Sequence, residues 1–188
     1  MGSGYSVQLV LVGLENTGKT TLLYRLKLGH YMHTQSTVGF NCEKVEGRWG
    51  KAKGVTFSIW DVEGKDNMRP LWKSYLRSSD GVIFVVDSAD RENLDEARVE
   101  LMRLVKGQNN PSCLPTLILA NKQDLPDAMT PEEISKELSV QELSVTQQCQ
   151  LLPVCAVTGE GLPDAMDCMV DMVQKWKKGK GKAKTKHR

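Results

Sequence analysis

Gly13, Leu14, Glu15, Asn16, Thr17, Gly18, Lys19 and Thr20 are the residues whose types and spacing most directly imply chemistry. They fit G-x-x-x-x-G-K-[ST], a loop suited to holding phosphate. Its glycines let the backbone turn successive N–H groups onto phosphate oxygens, and the helix start that follows, at Thr21 onward, adds partial positive charge. Lys19 would reach the β- and γ-phosphates, and the Thr20 hydroxyl would take a position on Mg²⁺.

Two later segments fit the same chemistry. Asp61, Val62, Glu63 and Gly64 form D-x-x-G at the end of an apolar run. An acid placed there beside a phosphate loop can hold Mg²⁺, often through water. Gly64 would let a backbone N–H approach the γ-phosphate. Asn121, Lys122, Gln123 and Asp124 follow another apolar run about a hundred residues beyond the loop. The Asp124 carboxylate can accept two hydrogen bonds, from N1–H and the exocyclic amine of guanine, and adenine offers neither in that arrangement. The Lys122 stem would lie against the ring and Asn121 would brace neighbouring loops. Ala156, beside Cys155 in the loop after the last strand, would present a backbone N–H to the guanine O6.

These residues need elements to place them. Strand patterns cover residues 8–12, 42–46, 55–60, 81–87, 115–120 and 150–154. The run at 81–87 is continuously apolar, as in a sheet covered on both faces. Gly47 and Gly54 bracket a hairpin turn. Helical patterns cover 18–28, part of 66–78, 91–106 and 162–176, the last dissolving into a tail. Thr130, Pro131 and Glu133 are placed as N-cap, first turn and capping-box acid of another helix. Residues 137–140 recur as 142–145, which reads as incidental. Strands alternating with helices predict an α/β fold: a mostly parallel sheet with one antiparallel hairpin and helices on both faces.

The chain has 188 residues, 40% of them hydrophobic, which suits one domain with a sizeable core. No apolar run approaches the ~20 residues of a membrane span. No secretory signal is read at the N-terminus. Cys42, Cys113, Cys149, Cys155 and Cys168 show no metal spacing and read as reduced cytoplasmic thiols. Residues 175–188 carry eight Lys or Arg and no acid, so against a net charge of +2 the rest of the chain stands at −6. The tail, rather than the acidic body, should seek anionic surfaces. Gly2 to Ser6 fit the N-myristoylation signal, and a flexible end is the other reading. The expected organisation is a flexible N-terminus at 1–6, a GTP-binding domain at 7–176 and a basic tail at 177–188.

Over nearly its whole length the sequence resembles the ADP-ribosylation factor (ARF) and ARF-like small GTPases. The segments that carry the likeness are 13–20, 37–41, 60–72, 121–124 and 155–162, with Trp60, Asp61, Val62 and then Arg69, Pro70, Leu71, Trp72 the most specific. The long hairpin and basic C-terminus resemble the ARF-like type 4 branch. The resemblance implies a small-GTPase fold and a GTP/GDP switch that uses Mg²⁺. Gly13, Glu15, Asn16, Thr17, Gly18, Lys19, Thr20, Thr21, Gly64, Asn121, Lys122, Asp124, Cys155 and Ala156 would hold nucleotide. Thr20, Thr37 and (through water) Asp61 would hold the metal. Phe40, Trp60 and Tyr75 would meet effector proteins. An exchange factor, an anionic membrane engaged by an acylated Gly2 and the tail, and a peripheral membrane location with a possible nuclear pool also follow.

The departures bear on catalysis. The family's Gly-Gly-Gln after Asp-Val is Glu63, Gly64 and Lys65 here, and the Gln normally orients the attacking water. Lys65 has no acceptor to hold that water. It would either point to solvent or neutralise a γ-phosphate oxygen. Ser36 replaces the family's Pro before Thr37, and too few residues follow Gly2 for the amphipathic N-terminal helix of ARF proteins. The reading reached is a GTP-binding switch with impaired hydrolysis at Lys65 and Gly64. The alternatives are a GTPase dependent on an activating partner, a non-switching GTP-binding scaffold, a phosphoryl-transferring kinase, and a nucleic-acid binder acting through the tail. Asn121 to Asp124 weigh against a kinase. The tail's lack of interleaved aromatics weighs against specific nucleic-acid binding.

Overall fold

The structure, a computed structural model, describes residues 4–106 and 114–185, with side chains to Lys180. Gly2 and Cys113 lie outside the described residues. Six strands form one sheet in the order β2-β3-β1-β4-β5-β6. They are β1 (Ser6–Val12), β2 (Phe40–Glu46), β3 (Thr56–Val62), β4 (Gly81–Asp87), β5 (Thr116–Asn121) and β6 (Cys149–Pro153). Every neighbouring pair is parallel except β2 and β3, an antiparallel hairpin in which Phe40 stands opposite Val62 and Glu46 opposite Thr56.

Alternation along the strands divides the core in two. On one face Leu9, Leu11, Ile83, Val85, Leu117 and Leu119 pack with Leu22, Leu23 and Leu26 of α1 (Lys19–Leu28) and with Ala165, Met169 and Val173 of α6 (Leu162–Thr185). On the other, Val10, Val12, Phe84 and Ile118 pack under α2 (Trp72–Leu76), α3 (Leu94–Lys106), α4 (Pro131–Glu137) and α5 (Val140–Thr146). Helix α1 follows β1 on one face and α2 follows β3 on the other. A crevice therefore opens outside the carboxyl ends of β1 and β3, where ligands bind in such sheets.

Several boundaries differ from those read in the sequence. Strand β2 starts at Phe40, two residues early, because the hairpin ladder with β3 runs on to Val62. Helix α3 starts at Leu94 rather than residue 91. The second of the two similar four-residue segments lies in a helix of its own, α5, whose Val140 and Leu143 are buried. The capping box at Thr130 and Glu133 forms as expected. Helix α6 does not end at Trp176 but runs to Thr185, through Gly179. A glycine inside a helix costs about 1 kcal/mol. Tertiary and local contacts oppose that cost: Lys177 pairs with Asp80 at 3.1 Å and lies 5.2 Å over the Tyr5 ring, and Lys180 lies 3.8 Å over Trp176. No helix among the described residues is long and apolar enough to cross a membrane.

Candidate functional site

The phosphate loop leaves β1 at Gly13, turns through Asn16 at φ 60° and Gly18 at φ 91°, and enters α1 at Lys19. Gly13 has no room for a side chain, since a Cβ would stand 2.3 Å from the Val85 carbonyl oxygen. The Thr17 hydroxyl donates to the Leu14 carbonyl at 3.1 Å, which holds the turn. Lys19 is 7% exposed, and its ammonium donates back to the carbonyls of Gly13 at 3.1 Å and Leu14 at 2.7 Å. Burial pulls the Lys19 pKa down to about 8, against the upward pull of the Asp61 and Glu15 carboxylates. A buried cation with depressed basicity is one that an approaching phosphate would relieve.

Three oxygens from three elements meet beside that lysine. The Thr20 hydroxyl donates to Asp61 Oδ2 at 2.5 Å and lies 2.5 Å from the Thr37 hydroxyl, which donates to the same carboxylate oxygen at 3.1 Å. Asp61 is fully buried, and its second oxygen, Oδ1, has no hydrogen-bond partner. Burial pushes its carboxyl above the ordinary range, with the Thr20 hydroxyl and Lys19 opposing. An orphaned, buried carboxylate oxygen next to two hydroxyls is a hard-oxygen donor set. It fits Mg²⁺, which takes one or two protein groups together with phosphate and water. The structure brings Thr37, read in the sequence as a metal ligand, into this corner.

The base-reading segment leaves β5 at Asn121, which is 1% exposed. Its Nδ2 donates to the Thr17 carbonyl at 2.8 Å, and its Oδ1 accepts from the Ala156 N–H at 3.0 Å. Asn121 thus braces two loops, as expected. The Ala156 N–H, read in the sequence as a donor to a guanine O6, donates here to Asn121 Oδ1. The Cys155 N–H is likewise engaged by the Glu160 carbonyl at 3.0 Å. The Lys122 ammonium spans Asn16 O and Asp87 Oδ2, each at 2.6 Å, so its stem crosses the mouth of the phosphate loop. Asp124 is exposed at the end of this segment. Asp87 was not singled out in the sequence, although an acid at the carboxyl end of β4 was the available signal. Arg25 was missed as well: it donates to the carbonyls of Val157 and Thr158 and ties the last loop to α1.

At the crevice mouth, Lys65 is exposed, and a neighbouring carboxylate holds its head group. Its ammonium pairs with Glu63 Oε1 at 2.9 Å, raising its own pKa and holding the Glu63 carboxyl below the usual carboxylate range. Glu63 Oε2 accepts from the Gly39 N–H at 2.8 Å. A Cβ on Gly64 would stand 2.3 Å from Gly13 O and 2.8 Å from Glu15 N, so this glycine lies directly on the phosphate loop. Thr21 pairs with Thr34 at 2.8 Å and holds down the segment leading to Thr37. Together these residues enclose a cleft of about 340 Å³. A larger hollow of about 810 Å³, between α4, α5 and β6, shares none of them.

Outside the cleft, Phe40, Trp60 and Tyr75 form a mutual triad with ring centroids 5.4, 5.8 and 5.9 Å apart. Phe40 is 53% exposed. Behind it, Trp72 is buried edge-on to Phe84 and donates from its indole to the Glu63 carbonyl at 3.0 Å.

Sheet, phosphate loop and base-reading segment define a small-GTPase-type protein. The model of the ADP-ribosylation factor family matches residues 1–173, and the chain belongs to that family. It is 45% identical to human ADP-ribosylation factor-like protein 4C over 173 residues, covering 92% of this chain and 90% of that one. Against human ADP-ribosylation factor-like protein 4A the identity is 44%, covering 92% and 86%. These similarities put the chain with the ARF-like type 4 branch. Among solved structures, it is similar to the Arl6 BBS3 small GTPase from Trypanosoma brucei with bound nucleotide analogue GppNp. That match has a TM-score of 0.79 and 30% identity, covering 91% of this chain and 99% of that one.

Proposed function

We propose that this chain is a guanine-nucleotide switch that binds GTP and GDP with Mg²⁺, presents Phe40, Trp60 and Tyr75 to effector proteins, and hydrolyses GTP poorly unaided. The observation that carries the reading is the corner made by Thr20, Thr37 and Asp61 beside the buried Lys19. Thr20 and Asp61 would hold the metal, Asp61 through water, and Thr37 would add its hydroxyl when the triphosphate is present. Mg²⁺ supplies charge neutralisation at the β- and γ-phosphates. The chain's own residues do the rest. Lys19 neutralises the terminal phosphates, and the N–H groups of residues 15–21 and of Gly64 surround them. Lys122 lies along the base, and Asp124 selects guanine.

Weak hydrolysis is supported by the geometry around Lys65. Its ammonium is tied to Glu63, so it offers no acceptor to hold a water in line with the γ-phosphate. A partner that supplies the missing group is the alternative, and the exposed Phe40 edge gives such a partner access. Gly2, if acylated, and the basic extension of α6 would together hold the protein at anionic membranes. A single acyl chain binds only marginally. Nucleotide competition tests the central reading. Fluorescent GDP should be displaced by GTP and not by ATP, and chelating Mg²⁺ should speed nucleotide release. Equal displacement by ATP would reject it.

A further inference from the structure

Every polar group of Glu63 is engaged, and three of the four bonds run between separate segments. Its N–H donates to the Gly39 carbonyl at 2.9 Å, and its own carbonyl accepts from the Trp72 indole at 3.0 Å. Its carboxylate takes the Gly39 N–H on one oxygen and Lys65 on the other. The residue is only 7% exposed, where an ionised carboxylate is tolerated because it is paired. Gly39 stands two residues after Thr37, at φ 73° and with open space where a Cβ would stand. The segment holding Thr37 is thus fastened to the β3 end by a side chain as well as by the ladder. The family pattern read in the sequence has glycine at position 63, which offers no such side chain.

We infer that Glu63 is a strut that holds the Thr37 segment closed whether or not a γ-phosphate is present, so that the chain keeps its effector-competent form with GDP as well as with GTP. The inference rests on the proposed nucleotide switch and names its regulation. In an ordinary switch the γ-phosphate must draw the threonine segment in, and the apparent affinity for triphosphate falls by the fraction of molecules already closed. A strut that raises that fraction toward one removes the penalty. Lys65 serves the same end, because its ammonium neutralises the Glu63 carboxylate and keeps it bound to Gly39 rather than repelled by phosphate. Glu63 and Lys65 are positioning residues here and touch no reacting atom.

A competing account makes Glu63 a repulsive charge beside the phosphates. The two accounts differ in sign. If Glu63 is a strut, Glu63→Ala opens the GDP form and lowers the GTP-over-GDP affinity ratio, by about tenfold for an ordinary coupling between sites. If Glu63 repels, the same change raises that ratio. Hydrogen exchange at the Gly39 amide gives a readout on the unmutated chain. The amide should be protected to a similar degree with GDP and with a non-hydrolysable GTP analogue; in Glu63→Ala, which removes that amide's acceptor, the residue-63 amide, which still faces the Gly39 carbonyl, is the reporter and should be protected only with the analogue. Should Glu63→Ala fail to fold, Glu63→Gln keeps an acceptor but loses the ion pair, and should shift both measurements the same way by less. Rapid Gly39 exchange in the native GDP complex, or a raised ratio in either variant, overturns the strut. A chain that takes up no guanine nucleotide overturns the proposed function instead. Exchange at the residue-63 amide, compared between native and variant proteins without nucleotide, then still decides whether the Glu63 side chain closes the segment.

Discussion

Lys19 and Asp61 lie close enough to feel each other's charge, the first a buried cation with lowered basicity and the second a buried carboxyl with a raised pKa. Each is held off its ordinary pKa mainly by burial, and each favours the other's charged form. For Lys19 the folded pKa, about 8, lies below the ordinary lysine value of 10.5. Between those values the unfolded chain binds more protons, so this group makes the ligand-free fold gain stability as pH rises through that window. A bound phosphate favours the charged lysine and restores its basicity. Nucleotide binding above pH 8 should therefore take up a proton, and binding near pH 6.5 should show little uptake from this group. Calorimetry at pH 8.5 in two buffers of different ionisation enthalpy measures it. Identical heats in both buffers would dismiss the linkage.

Asn121 and Asp124 sit three residues apart and should fail differently. Asn121→Ala leaves the Thr17 carbonyl and the Ala156 N–H unpartnered, at about 1–3 kcal/mol for each buried group. The prediction is a lowered melting temperature together with weakened binding of every nucleotide. Asp124 is exposed, so Asp124→Ala should leave the melting temperature nearly unchanged and reduce the preference for GTP over ATP. If the two variants have the same melting temperature, the structural role given to Asn121 is wrong.

Single-turnover hydrolysis of preloaded GTP tests the Glu63–Lys65 pair. Small GTPases that carry the glutamine hydrolyse at about 10⁻⁴ s⁻¹ unaided. The native chain should fall below that rate. Lys65→Gln alone should recover it only in part, since Glu63 loses its partner, and the double variant Glu63→Gly/Lys65→Gln should recover more. Native hydrolysis as fast as the double variant would mean that the ion pair has no bearing on catalysis.

Position 64 has no space to spare. Gly64→Ala would drive a methyl group into the backbone of residues 13–15. The expected outcome is a folded protein that retains GDP and loses at least tenfold in affinity for the triphosphate analogue, because the loop and the Gly64 N–H would both be displaced. Unchanged affinity for both nucleotides would show that the loop yields freely.

The fold class, and many of the residues that line the cleft, were legible in the sequence, because the motifs stand at fixed spacings at strand ends. Asn121 as a brace between loops is an example. The order of the strands was not read there. What was not legible depends on groups distant in sequence finding one another. The Ala156 N–H is engaged by a side chain 35 residues away. Lys65 is held by a neighbour two positions back, whose own orientation is fixed by Gly39 and Trp72. The end of α6 was misread for a similar reason: glycine signals a stop, but contacts to Asp80 and Tyr5 outweigh it.

That continuation of α6 changes how the positive charge is presented. A flexible tail can bring all its lysines to a surface, whereas a rod cannot. On a helix, Lys175 and Lys178 fall along one stripe, and Lys177 and Lys180 fall along another about 200° away. The second stripe begins against the body, with Lys177 on Asp80 and Lys180 on Trp176. Lys175 and Lys178, at the start of the first, are exposed. A flat anionic layer would meet the rod along one line and read the charges of one stripe. At about 1 kcal/mol each, that makes the contact a matter of orientation as much as attraction. The rod lying along the plane would determine which rim of the sheet looks toward the surface and which looks away.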